Sequence, residues 1–142
     1  MRPCPTHWEH LEHGADIGVR GCGPGLEAAF EQAGVALTAI VCPPDRVHES
    51  ATVTVDCEAA ERELLFFRWL NAVIYEMDTR RMLFRRYRVT LRDHRLSATL
   101  HGEPVDPARH RPAVEPKGAT FTALRVAQDA AGCWCAQCVI DV

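Results

Sequence analysis

Apolar and polar positions along the chain change period several times, and each change predicts an element. Ile17 to Cys22 reads as a strand, broken by Gly23-Pro24-Gly25. From Leu26 to Val41 the apolar residues Leu26, Ala29, Phe30, Ala33, Leu37 and Ile40 recur at helical spacing. Glu27 and Glu31 lie early in this helix, where its dipole favours anions. Pro43-Pro44 stops it, and Thr52-Val53-Thr54-Val55 alternates as a strand ending near Cys57. A second helix is predicted from Glu61 to Met77, with Leu64, Leu65, Leu70, Val73, Ile74 and Met77 on a broad apolar face and Trp69 as core.

Beyond Arg80 the period shortens to two. Leu83 to Leu91 and Leu96 to Leu100 flank Asp93-His94 and predict a hairpin. The segment Gly102 to Pro116, with four prolines, predicts a loop without regular structure. Two closing strands, Ala119 to Ala127 and Cys133 to Val142, are joined by a turn in which Gly132 takes up positive φ. The order β-α-β-α followed by strands predicts an α+β fold: a single domain over residues 1–142, with two helices packed on one face of a mixed or antiparallel sheet.

The chain's 142 residues suffice for one core. A net charge of −3 gives no general attraction to polyanions, so contact with RNA is expected only through a partner. The arginines at 80, 81, 85, 86 and 88 alternate with Phe84, Tyr87 and Val89 and read as the solvated face of a strand. No signal peptide and no apolar run of membrane-spanning length is visible, which predicts a soluble, cytoplasmic protein. An odd number of cysteines, seven, in a reducing compartment predicts free thiols that pack as small hydrophobes. The grouping Cys133-x-Cys135-x-x-Cys138 keeps a zinc-binding alternative open.

Two acidic groups carry candidate chemistry. Asp141 ends a core strand beside Val142 and its carboxylate, and Glu12-His13-Gly14-Ala15-Asp16 stands at the entrance to the strand at Ile17. If those strands are neighbours, oxygen ligands converge on one point, which suits a hard divalent cation such as Ca²⁺, Mg²⁺ or Mn²⁺. No Ser or Cys nucleophile is paired with a base at an interpretable spacing, which makes a stand-alone hydrolase the weakest reading.

Four segments in order resemble the archease family. They are His13-Gly14-Ala15-Asp16 with Leu26-Glu27-Ala28-Ala29-Phe30, then Trp69-Leu70-Asn71 with Tyr75 and Asp78, then Lys117-Gly118-Ala119-Thr120-Phe121, and finally Val139-Ile140-Asp141-Val142. The family pattern has threonine at Gly14, aspartate at Glu12, alanine at Gly118 and histidine at Thr122. The resemblance implies an accessory protein that promotes guanylylation and multiple turnover of an RtcB-type RNA-splicing ligase in tRNA processing. A general chaperone, or a modulator of an RNA-modifying enzyme, is the alternative. It further implies Asp16 and Asp141 as ligands of a divalent cation, an oxygen of Val142 as a third, Glu12 nearby, and Lys117 and His13 as contacts to partner or phosphate.

Overall fold

The computed structural model describes residues 4–142. Eight strands and three helices follow in the order β1 (His7–His13), β2 (Asp16–Gly23), α1 (Leu26–Val41), β3 (Ala51–Glu58), α2 (Arg62–Arg80), β4 (Met82–Arg92), β5 (Arg95–Pro104), α3 (Pro107–His110), β6 (Gly118–Ala119), β7 (Arg125–Gln128) and β8 (Trp134–Asp141). The α+β class holds. The strands divide between two sheets, both antiparallel: β1-β2-β8, with β6 and β7 both on the free side of β8, and β3-β5-β4.

Helix α1 joins the two sheets, packing on β2 of the first and β4 of the second. Its contact face is built of small residues, which lets backbone meet backbone. A Cβ at Gly21 of β2 would stand 2.2 Å from the Ala29 carbonyl oxygen, so only glycine allows this approach. Around the helix lie fully buried Phe30, Leu37, Phe66, Trp69, Leu70 and Leu100 in one continuous core. Polar groups beside the helix are paired. The Trp69 indole N–H donates to the Phe30 carbonyl at 3.0 Å, and the Thr38 hydroxyl meets the Phe84 carbonyl and the Tyr87 hydroxyl, both at 2.6 Å. Burial pushes the Tyr87 phenol well above its ordinary value.

Three elements differ from expectation. Strand β1 is absent from the sequence reading because it is an edge strand whose two apolar residues, Trp8 and Leu11, fall on opposite faces and make no alternation to betray it. The strand expected over Ala119–Ala127 is two short pieces. Between them the Thr120 side chain bonds the Val139 carbonyl and Thr122 N–H donates to Thr120 Oγ1, folding the chain into a turn with Ala123 at φ 56°. The proline-rich loop is shorter than Gly102–Pro116, since β5 runs to Pro104 and Asp106 accepts from the N–H groups of Ala108 and Arg109 to cap α3.

Candidate functional site

Strand register decides which residues can meet. His13 lies opposite Asp16, Ile17 opposite Ile140, and Gly118 opposite Asp141. One step beyond the Ile17–Ile140 pair puts Asp16 beside Asp141, so His13, Asp16, Asp141 and Gly118 form one row across β1, β2, β8 and β6 at the end of the sheet. Side chains directly opposite on neighbouring strands share a face, with Cβ atoms about 4.5–5.5 Å apart. Asp16 Oδ1 reaches the Val142 N–H at 3.4 Å, so its carboxylate is turned toward the chain beyond Asp141. Two chain segments 125 positions apart in sequence therefore bring their carboxylates to one strand end.

The row depends on local choices at each strand. The β1–β2 hairpin closes on the two residues Gly14-Ala15, and Gly14 sits at φ 59°, where glycine is favoured. The glycine that departs from the family pattern thus serves the turn. At the other side, Asn71 of α2 accepts the Ala119 N–H at 2.9 Å and Lys117 N–H donates to the Asp141 carbonyl at 2.8 Å, fixing β6 along β8. A methyl group at Gly118 would meet Asn71 Oδ1 at 3.6 Å, an ordinary contact, so the family's alanine would fit there.

The remaining candidates are placed unequally. Lys117 is exposed and adjoins the row, and His13 is exposed within it. Glu12 lies opposite Ile17, so strand alternation points it to the other face from Asp16 and Asp141. Among the described residues no three His, Cys, Asp or Glu side chains gather into one metal-binding group. The donors the register brings to this end are the carboxylates of Asp16 and Asp141, oxygen donors of the kind a hard cation accepts with water completing its shell. In that sense the residues present fit the expected ion.

The cysteines correct the sequence reading. Cys4 is bonded to Cys133 and Cys22 to Cys135, with Cα atoms 5.4 and 4.2 Å apart. Free thiols are found at Cys42, Cys57 and Cys138 only. Cys22 and Cys135 are directly opposed across β2 and β8, a placement that spacing along the chain could not reveal. The zinc alternative fails with this, because two of its three thiols are consumed and Cys138 is buried, its thiol pushed up to about 12 by desolvation.

A second acid–histidine group escaped the sequence reading. Glu103 at the end of β5 receives Arg109 at 2.6 and 2.7 Å, His110 Nε2 at 2.9 Å and the His48 N–H at 2.6 Å. His110 Nδ1 accepts the Asp106 N–H, which makes Nε2 the protonated nitrogen and the donor to Glu103. The Arg109 guanidinium, first among these partners, holds the Glu103 carboxyl far below the usual carboxylate range. This group ties β5, α3 and the turn before His48 together. Charged residues inside a proline-rich segment gave no periodic signal that they would be buried.

Near Lys117 the surface is apolar. Phe121 is 67% exposed and stacks on Phe67 of α2, with ring centroids 4.4 Å apart. A groove of about 620 Å³ opens beside Pro116, lined by Ile74, Met77, Val105, Pro112 and Val114. No helix is long and apolar enough to cross a membrane among the described residues.

Comparison with known proteins bears on the family and the fold. The sequence model of the archease protein family matches residues 8–142. Protein archease of Pyrococcus abyssi is 34% identical over 139 residues, covering 95% of this chain and 98% of that protein. Protein archease of Thermococcus gammatolerans is also 34% identical, with the same coverage of each chain. The fold is similar to the solution structure of Protein 1598 of Methanobacterium thermoautotrophicum, at TM-score 0.78 and 22% identity, covering 95% of this chain and 98% of that one. It is also similar to a crystal structure from Thermotoga maritima described as an archease, "possible chaperone", at TM-score 0.59 and 18% identity, covering 93% and 94% of the two chains.

Proposed function

The chain belongs to the archease family, and from that premise we propose that it is an accessory factor of an RtcB-type RNA ligase, promoting guanylylation of the ligase and its multiple turnover without joining RNA itself. The observation that carries this reading is the convergence of Asp16 and Asp141 at one strand end, beside Val142 and Lys117. Asp16, Asp141 and a main-chain oxygen of Val142 hold a divalent cation, Ca²⁺, Mg²⁺ or Mn²⁺. A cation held by these residues would supply positive charge to a phosphate. Glu12 adds negative charge from the other face rather than a direct bond.

The chain's own residues do the rest. Lys117 and His13, exposed on either side of the acids, contact the partner or the phosphate it handles. Asn71 keeps β6 against β8 and so keeps Lys117 beside Asp141. Phe121 and the neighbouring groove give a protein partner an apolar patch flanked by charge, the composition that suits a protein interface. The protein works in the cytoplasm with its ligase.

The test is ligation turnover with the cognate ligase, GTP and Mn²⁺. Wild-type protein raises the amount of guanylylated ligase and the number of turnovers, and shows no ligation alone. Asp16→Ala and Asp141→Ala abolish the stimulation. Equal stimulation by wild type and Asp141→Ala would sink the metal-bearing site. Absence of stimulation by either would sink the ligase reading and leave a chaperone-type role ahead.

A further inference from the structure

The outer face of the β3-β5-β4 sheet is divided by charge. Cross-strand register sets Thr52, His101 and Arg86 in one row, Thr54, Thr99 and Arg88 in the next, and then Asp56, Ser97 and Thr90. The buried residues of the same strands, Val53, Val55, Leu96, Leu100, Tyr87 and Val89, face the helices. A bulge between Phe84 and Arg86 brings Arg85 to the same end as an additional exposed cation. At the far end Glu58 meets Arg95 and charges are balanced. At the near end the only ion pair among the described residues is Arg86 with Glu49 at 2.8 Å; Glu31 of α1 lines the same hollow, its carboxylate accepting the Val89 N–H, but neither Arg85 nor Arg88 has an acid within bonding distance.

A second observation falls at the same place. His101, opposite Arg86, has its Nε2 atom buried without a hydrogen-bond partner among the described residues. A buried polar atom left unpaired costs stability, and since an atom closed to water is closed to a phosphate oxygen as well, His101 borders the patch without contacting a ligand on it. Burial first, and the Arg86 charge second, hold the His101 imidazole below its ordinary value.

We propose that Arg85, Arg86 and Arg88, with the threonine hydroxyls of β3 and β5, bind the phosphodiester backbone of RNA. Arg86 and Arg88 are two residues apart on one strand and so repeat at about 6.8 Å, close to the separation of successive phosphates along an extended strand. Guanidinium forks and hydroxyls donate to phosphate oxygens. Apart from the His101 imidazole no aromatic or large apolar side chain stands on this half of the face, so it offers neither the apolar centre of a protein interface nor an extended platform for stacked bases. The contact is therefore electrostatic, indifferent to sequence and sensitive to salt. This inference rests on the ligase reading for the presence of RNA, and it replaces the expectation that RNA is met only through the ligase.

Fluorescence anisotropy with a short fluorescein-labelled oligouridylate and this protein alone tests it. Three phosphate contacts predict that affinity falls roughly 20-fold between about 50 and 200 mM salt. The triple variant Arg85→Gln, Arg86→Gln, Arg88→Gln weakens binding by about tenfold or more at the lower salt and loses most of the salt dependence. Glu49→Gln frees Arg86 and tightens binding about twofold or more, a change no misfolded variant would mimic. All three arginines are exposed, and circular dichroism of the variants checks their fold. An oligouridylate that does not bind at low salt, a triple variant that binds as wild type, or polyglutamate that competes as well as RNA, would each overturn the proposal. Loss of RNA binding with ligase stimulation intact removes this inference alone, whereas loss of stimulation with RNA binding intact removes the ligase reading.

Discussion

Two acid–histidine groups in this molecule use the same residue types to opposite ends. At Glu103 both carboxylate oxygens are occupied, by Arg109, His110 and the His48 N–H, and the side chain is buried. At the end of the β1-β2-β8-β6 sheet, Asp16 has one long contact to the Val142 N–H, and Asp141 is exposed. A satisfied carboxylate holds a fold together and has nothing left to offer a ligand. An unsatisfied pair at a strand end costs some repulsion and keeps its lone pairs available. The contrast locates the chemistry better than residue type does, since acids and histidines alone would have nominated both groups.

The comparison breaks most visibly if Glu103 is dispensable. Glu103→Ala should destabilise the protein by about 2–3 kcal/mol, because it strands buried His110 and removes the anchor of Arg109; the figure stays moderate because Arg109 is a third exposed and can turn to water. Urea unfolding reads the loss. The pH sign follows from the depressed carboxyl: its stabilising contribution is full above the ordinary carboxylate value of about 4.3 and is lost as pH falls below that. Acid unfolding of wild type should therefore show this loss and Glu103→Gln should lack it. An unchanged acid profile in the variant would mean Glu103 is not the structural anchor.

A smaller effect belongs to the turn that sets the acidic row. Gly14→Ala should cost about 1 kcal/mol, since an alanine must adopt φ 59°, and thermal unfolding measures it. A neutral result would show that the hairpin can re-form with another turn, and the row with it. Smallest of all, Asp16→Asn and Asp141→Asn should leave stability within about 0.5 kcal/mol of wild type or raise it slightly, by relieving like-charge repulsion. Marked destabilisation by either would make the two acid groups alike and remove the distinction.

Legibility followed periodicity. Helices α1 and α2 announced themselves because one face of each is buried and the other wet, and α2 overran its expected end at Met77 only until Arg81 turned left-handed at φ 53°. Asp16 and Asp141 were readable as strand-end acids, but their adjacency is a matter of register, fixed by the sheet as a whole. Glu12 shows the limit, since a one-residue step along β1 moves a side chain to the opposite face. Strand β1 and the break within Thr120–Leu124 left no pattern: the first has only Trp8 and Leu11, one on each face, and the second is made by hydrogen bonds of Thr120 in a stretch whose composition favours a strand. The disulfides were hidden because an odd cysteine count says nothing of which pairs meet in space.

The Cys4–Cys133 bond has a topological consequence. It closes a span of 129 positions into a covalent ring, and the Cys22–Cys135 bond closes a second ring of 113 positions that overlaps the first and ends two residues beyond it. A protease that cuts the exposed Arg111–Glu115 stretch opens the ring without releasing a fragment. The nicked chain would keep its full mass until a reductant is added, and the two pieces would stay tethered across the strands that carry Asp16 and Asp141.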